Sequence, residues 1–212
     1  MQSATLTLLL ATGNRGKIRE FRALLSNVPG LTLLAPEDVG GIPAVIEDGE
    51  TFEHNARKKA VEIALDKRLA VLSDDSGLEL DALGGRPGVR SARYAGEHAN
   101  DAANNQKLIA ELASVPESER GARYRVVLAF ADPRASGEPF VHVEHARCEG
   151  RMRLHPAGDG GFGYDPYFEP EGYRCTMAEL PADEKNRISH RARAALAMQG
   201  FLRQYLSERG AR

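Results

Sequence analysis

The sequence predicts an α/β fold built on a mixed central sheet flanked by helices, and three observations carry that prediction. A continuous apolar run, Thr5 to Ala11, is followed by the polar loop Thr12-Gly13-Asn14-Arg15-Gly16-Lys17 and then by apolar residues at helical spacing, the order of a buried strand, a loop and a helix. A second apolar run, Leu69 to Leu72, leads directly into Ser73-Asp74-Asp75-Ser76-Gly77. Further on, Tyr124 to Ala131 and Pro139 to Cys148 read as strands of a hairpin, with Asp132-Pro133 and Ser136-Gly137 between them. Alternating strands and helices followed by a hairpin make the sheet mixed.

In chain order, Ile18, Phe21, Leu24, Leu25 and Val28 mark the first helix, which Pro29-Gly30 stops. Leu31 to Ala35 is a second strand. The stretch over 36–49, broken by Pro and Gly, carries Glu37, Asp38, Glu47 and Asp48. A helix from about Thr51 to Arg68 places Phe52, Ala56, Ala60, Ile63 and Ala64 on one side. The strand over 69–72 is expected to end at the two carboxylates. Residues 84–96 read as irregular, Asp101 to Ala113 as a helix, and 156–163 as a glycine-dense loop. Thr176-Met177-Ala178-Glu179 has capping-box spacing and predicts a short helix that Pro181 ends. The last helix starts near Ser189 and presents Ala192, Ala195, Leu196, Leu202 and Leu206. No internal repeat or low-complexity linker divides the chain, so residues 1–212 are read as one domain, with the hairpin over about 121–150 a candidate smaller lobe.

A chain of 212 residues can bury a core without disulfides or structural metals. Its 28 Lys+Arg against 30 Asp+Glu give a formal charge of −2, which leaves no basic field to hold nucleic acid. Any anionic ligand must meet a local cluster of cations. Cys148 and Cys175 show neither Cys-x-x-Cys nor metal-ligand spacing. The apolar run Leu6 to Ala11 is too short to cross a bilayer, and no basic segment precedes it. These features are those of a reduced, cytoplasmic protein without a membrane partner.

Cations stand where a helix dipole disfavours them. Arg15 and Lys17 open the first helix, and His190 and Arg191 follow the Ser189 cap of the last. Such side chains often bend away into water; two such sites beside glycine-loop or cap chemistry point instead to phosphate binding at helix N-termini. Neither known phosphate loop applies. Gly13-x-x-Gly16-Lys17 is too short for a P-loop, and Ile18 follows where a hydroxyl residue is required. Gly158-Asp159-Gly160-Gly161-Phe162-Gly163 has the spacing Gly-x-Gly-x-x-Gly but leads into Tyr164-Asp165-Pro166, not into a helix. It offers Phe162 and Tyr164, an aromatic pair able to stack on a base or simply to pack.

Adjacent strand residues face opposite ways, so one of Asp74 and Asp75 is expected to be catalytic or metal-binding and the other a structural partner. A turn aspartate capping Ser76-Gly77 is the ordinary alternative, weakened by the position after a buried strand, where ligands of α/β sheets bind. The acidic stretch Glu47-Asp48-Gly49-Glu50 is either a solvated loop or a site for a hard cation such as Mg²⁺. His54, His98, His142, His145 and His155 have no partner at ligand spacing and are read as structural or exposed.

The blocks Ala11-Thr12-Gly13-Asn14-Arg15-Gly16-Lys17, Thr51-Phe52-x-x-Asn55-Ala56, Asp74-Asp75-Ser76-Gly77-Leu78, Leu83-Gly84-Gly85-x-Pro87-Gly88 with Ser91-Ala92-Arg93-Tyr94, Gly160-Gly161-Phe162-Gly163-Tyr164-Asp165-Pro166 and Glu184-Lys185-x-x-Ile188-Ser189-His190-Arg191 run in order over nearly the whole chain. In them the sequence resembles the inosine triphosphate pyrophosphatases, the Ham1-like family acting on non-canonical purine nucleoside triphosphates, and most of all its bacterial members. A few extra residues before the first strand are the main departure.

The resemblance implies hydrolysis of ITP, dITP and XTP to monophosphate and pyrophosphate with Mg²⁺, which clears deaminated purines from nucleotide pools. It also implies an elongated two-lobed fold with a central cleft, and a homodimer. By position, Thr12, Gly13, Asn14, Arg15, Gly16 and Lys17 should bind the triphosphate, and Asp75 should be the general base and a metal ligand. Ser76 should touch substrate. Glu47 is the expected second metal carboxylate, with Glu50 close enough to compete. Phe162, Gly163, Tyr164, Asp165, Lys185, His190 and Arg191 should line the nucleobase and phosphate pocket, and Lys59 should reach a phosphate.

The chemistry agrees. Cleavage between the α and β phosphates needs a water activated by a carboxylate, a metal, and cations on the leaving pyrophosphate. A donor near His190-Arg191 would favour the 6-oxo purines over adenine; guanine is also 6-oxo, so refusal of GTP must turn on its 2-amino group. Two other readings remain open at this point: a pyrophosphatase for other modified nucleotides, and a sensor that binds triphosphates without turnover, against which the acidic residues argue.

Overall fold

The computed structural model describes residues 5–134 and 137–210. Its strands are β1 Leu6–Leu10, β2 Leu31–Leu34, β3 Ala70–Leu80, β4 Gly121–Asp132, β5 Phe140–Met152 and β6 Phe168–Pro170. They form a six-stranded sheet in the order β2-β1-β3-β4-β5-β6. β1 runs parallel to β2 and to β3, whereas β5 and β6 are antiparallel, so the sheet is mixed, as the sequence predicts. The helices are α1 Arg15–Leu25, α2 Phe52–Lys67, α3 Asp101–Leu112, α4 Ala182–Ile188 and α5 His190–Gly210.

The chain packs as two compact units. One takes the described residues up to Asp75, within Val127–His145 and from Arg193 onward; the other takes Ser76–Val126 and Ala146–Ala192. In the first unit, Leu8, Leu9 and Leu10 of β1 are fully buried, as a central parallel strand requires. α1 contributes Ile18, Phe21 and Leu25. α2 buries Phe52, Ala56, Ala60, Ile63 and Ala64, the face the sequence singles out. Three of these are alanines one turn apart, and the closeness they permit shows where Ser73 of β3 donates its hydroxyl to the Ala56 carbonyl at 2.5 Å. The second unit closes over Leu78, Leu80, Leu108, Leu112, Tyr124, Met152, Tyr164, Phe168 and Met177.

Three local expectations are corrected. β3 does not stop at the carboxylates but continues to Leu80, because Leu78 and Leu80 alternate into a buried face on either side of the less buried Glu79. Thr176 to Glu179 is a turn, not a helix. Glu179 does accept from the Thr176 N–H at 2.6 Å, as a capping box would, but the helix starts after Pro181, which serves as the N-cap of α4 instead of ending anything. The three-residue β6 is too short to leave a periodic signal. The hairpin strands are longer than expected at their outer ends, and Ser136 of the expected turn lies outside the described residues. Among the described residues no helix is long and apolar enough to cross a membrane.

Candidate active site

In the first unit, β1 delivers the chain to the loop that α1 follows. Asn14 caps that helix, its side-chain oxygen accepting from the N–H groups of Gly16 at 2.8 Å and Lys17 at 3.2 Å, while Thr12 Oγ1 accepts from the Asn14 N–H. The cap fixes the loop that carries the two cations: Arg15 is exposed, and Lys17 turns inward to Asp74 Oδ2 at 2.7 Å. The first-turn cations therefore do different things.

Because β3 runs through Asp74 and Asp75, the two carboxylates face opposite ways, and both are buried. Asp74 pairs with Lys17, and its carbonyl accepts from Lys59 Nζ at 2.7 Å. Lys59 also lies 2.5 Å from Glu47 Oε1. Burial works against the charge on Lys59, but the Asp74 and Glu47 carboxylates overcome it and hold the ammonium above the usual lysine range. Asp75 Oδ2 accepts from Asn55 Nδ2 at 3.0 Å. Burial first, then the neighbouring Glu47 and Asp74 charges, push the Asp75 carboxyl up to about 6, against the Asn55 hydrogen bond and the Lys59 charge.

Asn55 does a second task, accepting from the Gly49 N–H at 2.8 Å. A Cβ at Gly49 would stand 2.6 Å from the Asn55 oxygen, so only glycine lets the acidic loop come this close. Of the two acidic candidates in that loop, Glu47 is the one in contact with Lys59; Glu50 is exposed.

The donor chemistry here fits Mg²⁺. Glu47 and Asp75 could supply hard oxygen ligands to such an ion, and the Glu47 charge adds to burial, the larger cause, in raising the Asp75 carboxyl.

In the second unit, Asp165 is a hub. Its Oδ2 accepts from Lys185 Nζ at 2.9 Å and from the Phe162 N–H at 3.0 Å, and its Oδ1 accepts from the Tyr124 hydroxyl at 3.2 Å. Lys185 Nζ and the Arg191 guanidinium lie 5.1 and 4.9 Å from the centre of the Phe162 ring, within cation–π range. Arg191 also donates to Ser76 Oγ at 3.0 Å. His190 stacks flat on Tyr124, ring centres 4.7 Å apart. His190 and Arg191 are only 4% and 7% exposed, so they do not bend away into water, and Ser189 caps α5 as expected by accepting from the Ala192 N–H. Tyr164, of the expected aromatic pair, is buried and donates to the Ser91 carbonyl; Phe162 is the more accessible ring.

A model of the Ham1 family matches residues 8–201. The chain belongs to the Ham1 family. It is 49% identical over 195 residues to the dITP/XTP pyrophosphatase of Geobacter sulfurreducens, covering 92% of this chain and 96% of that enzyme. Its identity to the dITP/XTP pyrophosphatase of Shouchella clausii is 47%, over 90% of this chain and 93% of the relative. Among solved structures, a Ham1 protein from Coxiella burnetii superposes with a TM-score of 0.83 at 36% identity, covering 94% of this chain and all of that one. A dITP/XTP pyrophosphatase from Mycobacterium abscessus gives 0.72 at 42% identity, over 91% and 97% of the two chains.

In this Ham1 chain each expected site residue falls in one of two sets. Thr12 to Lys17, Glu47, Lys59 and Asp75 belong to the first unit, and Ser76, Phe162 to Asp165, Lys185, His190 and Arg191 to the second. Asn55 and Tyr124 are absent from the sequence-based set. Asn55 stood inside a family block that marked its place without its task, and Tyr124, 41 residues from Asp165, read only as a strand residue.

Proposed function

We propose that the chain hydrolyses dITP, ITP and XTP between the α and β phosphates, releasing monophosphate and pyrophosphate. The observation that carries this reading is the setting of Asp75: a buried carboxylate whose Oδ2 accepts from Asn55 at 3.0 Å, with the Glu47 and Lys59 charges beside it. A sensor would need the cations but not an oriented, buried carboxylate able to take a proton from water.

In this mechanism Asn55 orients Asp75 by its Oδ2, and Asp75 takes a proton from water as the oxygen attacks the α phosphorus. The bond to the β phosphate breaks, and pyrophosphate leaves against the cations of the 12–17 loop and Lys59. Mg²⁺ held by Glu47 and Asp75 would neutralise charge on the phosphates. In the second unit, Phe162 with Lys185 and Arg191 takes the nucleobase, and a buried donor there pairs with a 6-oxo group but faces an amine in adenine, which costs affinity. Magnesium dependence, clearing of deaminated purines from nucleotide pools, a cytoplasmic setting and a homodimer belong to the same reading and are supported by the family resemblance.

The test is direct. Purified protein with Mg²⁺ should release pyrophosphate rapidly from ITP, dITP and XTP and little from GTP, ATP or dUTP. Equal rates on ATP, or orthophosphate as the direct product, would sink the assignment. Asp75→Asn should keep the fold and lose most turnover; near-normal kcat would remove Asp75 from the role of base.

A further inference from the structure

Two side chains that the catalytic reading does not use reach the loop carrying Phe162. Asp101 and Asn105 lie one turn apart at the start of α3, so they share a face. Asp101 Oδ2 accepts from the Gly163 N–H at 2.7 Å, and Asn105 Nδ2 donates to the Gly163 carbonyl at 2.9 Å. Both polar groups of a single glycine are thus held by one helix face from about sixty residues away in sequence. Gly163 has a φ of +65°, a region glycine occupies about as readily as its negative-φ ones, so the two contacts select one of several conformations open to it. Its neighbour Phe162 is fixed from the other side by Asp165 through its own N–H.

α3 itself is well anchored. Asn104, between the two, is buried, accepts from the Ala95 N–H at 2.8 Å and donates to the Ala92 carbonyl at 3.1 Å. Leu108 and Leu112 sit in the core of the second unit. The grip on Gly163 therefore comes from an element anchored in the core of the second unit.

We infer that Asp101 and Asn105 are positioning residues that set how Phe162 is presented to the nucleobase, and so act on base affinity and base choice. The inference rests on the nucleobase role proposed for Phe162. Asn105→Asp tests it with little change of volume, since it turns the donor facing the Gly163 carbonyl into an acceptor. Asp101→Ala removes the other hold, and Asp101→Asn keeps an acceptor oxygen there.

Two measurements are needed. Hydrogen exchange of the amides over 160–165, which requires no substrate, should accelerate in Asn105→Asp and Asp101→Ala and return toward wild type in Asp101→Asn; unchanged exchange overturns the clamp whatever the enzyme's activity. In steady-state kinetics, KM for dITP should rise about tenfold with kcat within about threefold, and the preference for dITP over dATP should fall by a similar factor. Unchanged KM and preference, or a fall in kcat alone with a lowered thermal midpoint, would reduce the contacts to structural ones and overturn the inference. A wild-type chain inert on dITP would overturn the proposed function instead, with the exchange result still deciding whether the clamp exists.

Discussion

Asp75 carries the sharpest expectation at the scale of the residue. Its carboxyl is raised from 3.8 to about 6, with burial as the largest cause. A carboxyl raised in the folded state contributes stability that is fully present below its unfolded value and lost as pH rises through the folded one. Without metal, wild type should therefore lose about 3 kcal/mol relative to Asp75→Asn between about pH 3.5 and about pH 7. Urea unfolding of both proteins across that range measures it, and a difference that does not vary with pH would contradict the assignment of the shift to Asp75. What the sequence showed at this scale was residue type and position in a block. The acidic stretch over 47–50 and the Asp74-Asp75 pair were visible as clusters along the chain, whereas the choice of Asp75 and the mention of Lys59 came only from the family resemblance. The sequence left Tyr124, Asp101 and Asn105 unmarked because each acts through a partner 41 to 62 residues away, and no local spacing records such a contact.

The lesson for elements is that main-chain space is as specific as side-chain chemistry. Gly161 has φ +77°, and a Cβ there would stand 2.1 Å from Asp165 Oδ2; Gly163 has φ +65° with nothing within 4 Å of a Cβ. Alanine at either position meets the left-handed backbone penalty of about 1–2 kcal/mol. Only at Gly161 does it also push Asp165 off Lys185 and the Phe162 N–H. Chemical denaturation should thus show Gly161→Ala less stable than Gly163→Ala, and equal losses would mean that Asp165 moves aside without cost. Element identity was legible wherever periodicity ran long enough. The Leu6 to Leu10 run and the helical face Ile18-Phe21-Leu25 settled β1 and α1. Turn chemistry misled where it competed with burial: Ser76-Gly77 looked like a stop, yet the alternation of Leu78 and Leu80 carried β3 onward. At 176–181 the capping-box hydrogen bond is real, but three residues and a following proline left no room for a helix to propagate.

Across the whole molecule, the two units share their long elements. The chain passes from one to the other after Asp75, Val126, His145 and Ala192, that is, within β3, β4, β5 and α5. No unit is a contiguous segment able to fold before the rest is made. Unfolding in urea should accordingly be a single transition, with hydrogen exchange of Leu8 to Leu10 and of Tyr164 to Phe168 collapsing at the same denaturant concentration; two separated transitions would show the units to be independent. The charge balance belongs to this scale too. A net charge of −2 gives no long-range pull on polynucleotides, while Arg15, Lys17, Lys59, Lys185 and Arg191 put five of the 28 Lys and Arg among the two sets of expected site residues.

The grip of α3 on Gly163 has a use in engineering. Asp101 and Asn105 bind main-chain atoms alone, so the anchoring makes no demand on the side chain at position 162. On the nucleobase role proposed for Phe162, a library randomised at that position, with Asp101, Asn105 and Asp165 left in place, would vary the side chain offered to the base while the main-chain contacts of Gly163 and Phe162 are kept. That makes position 162 the place to begin retuning this protein toward other damaged bases.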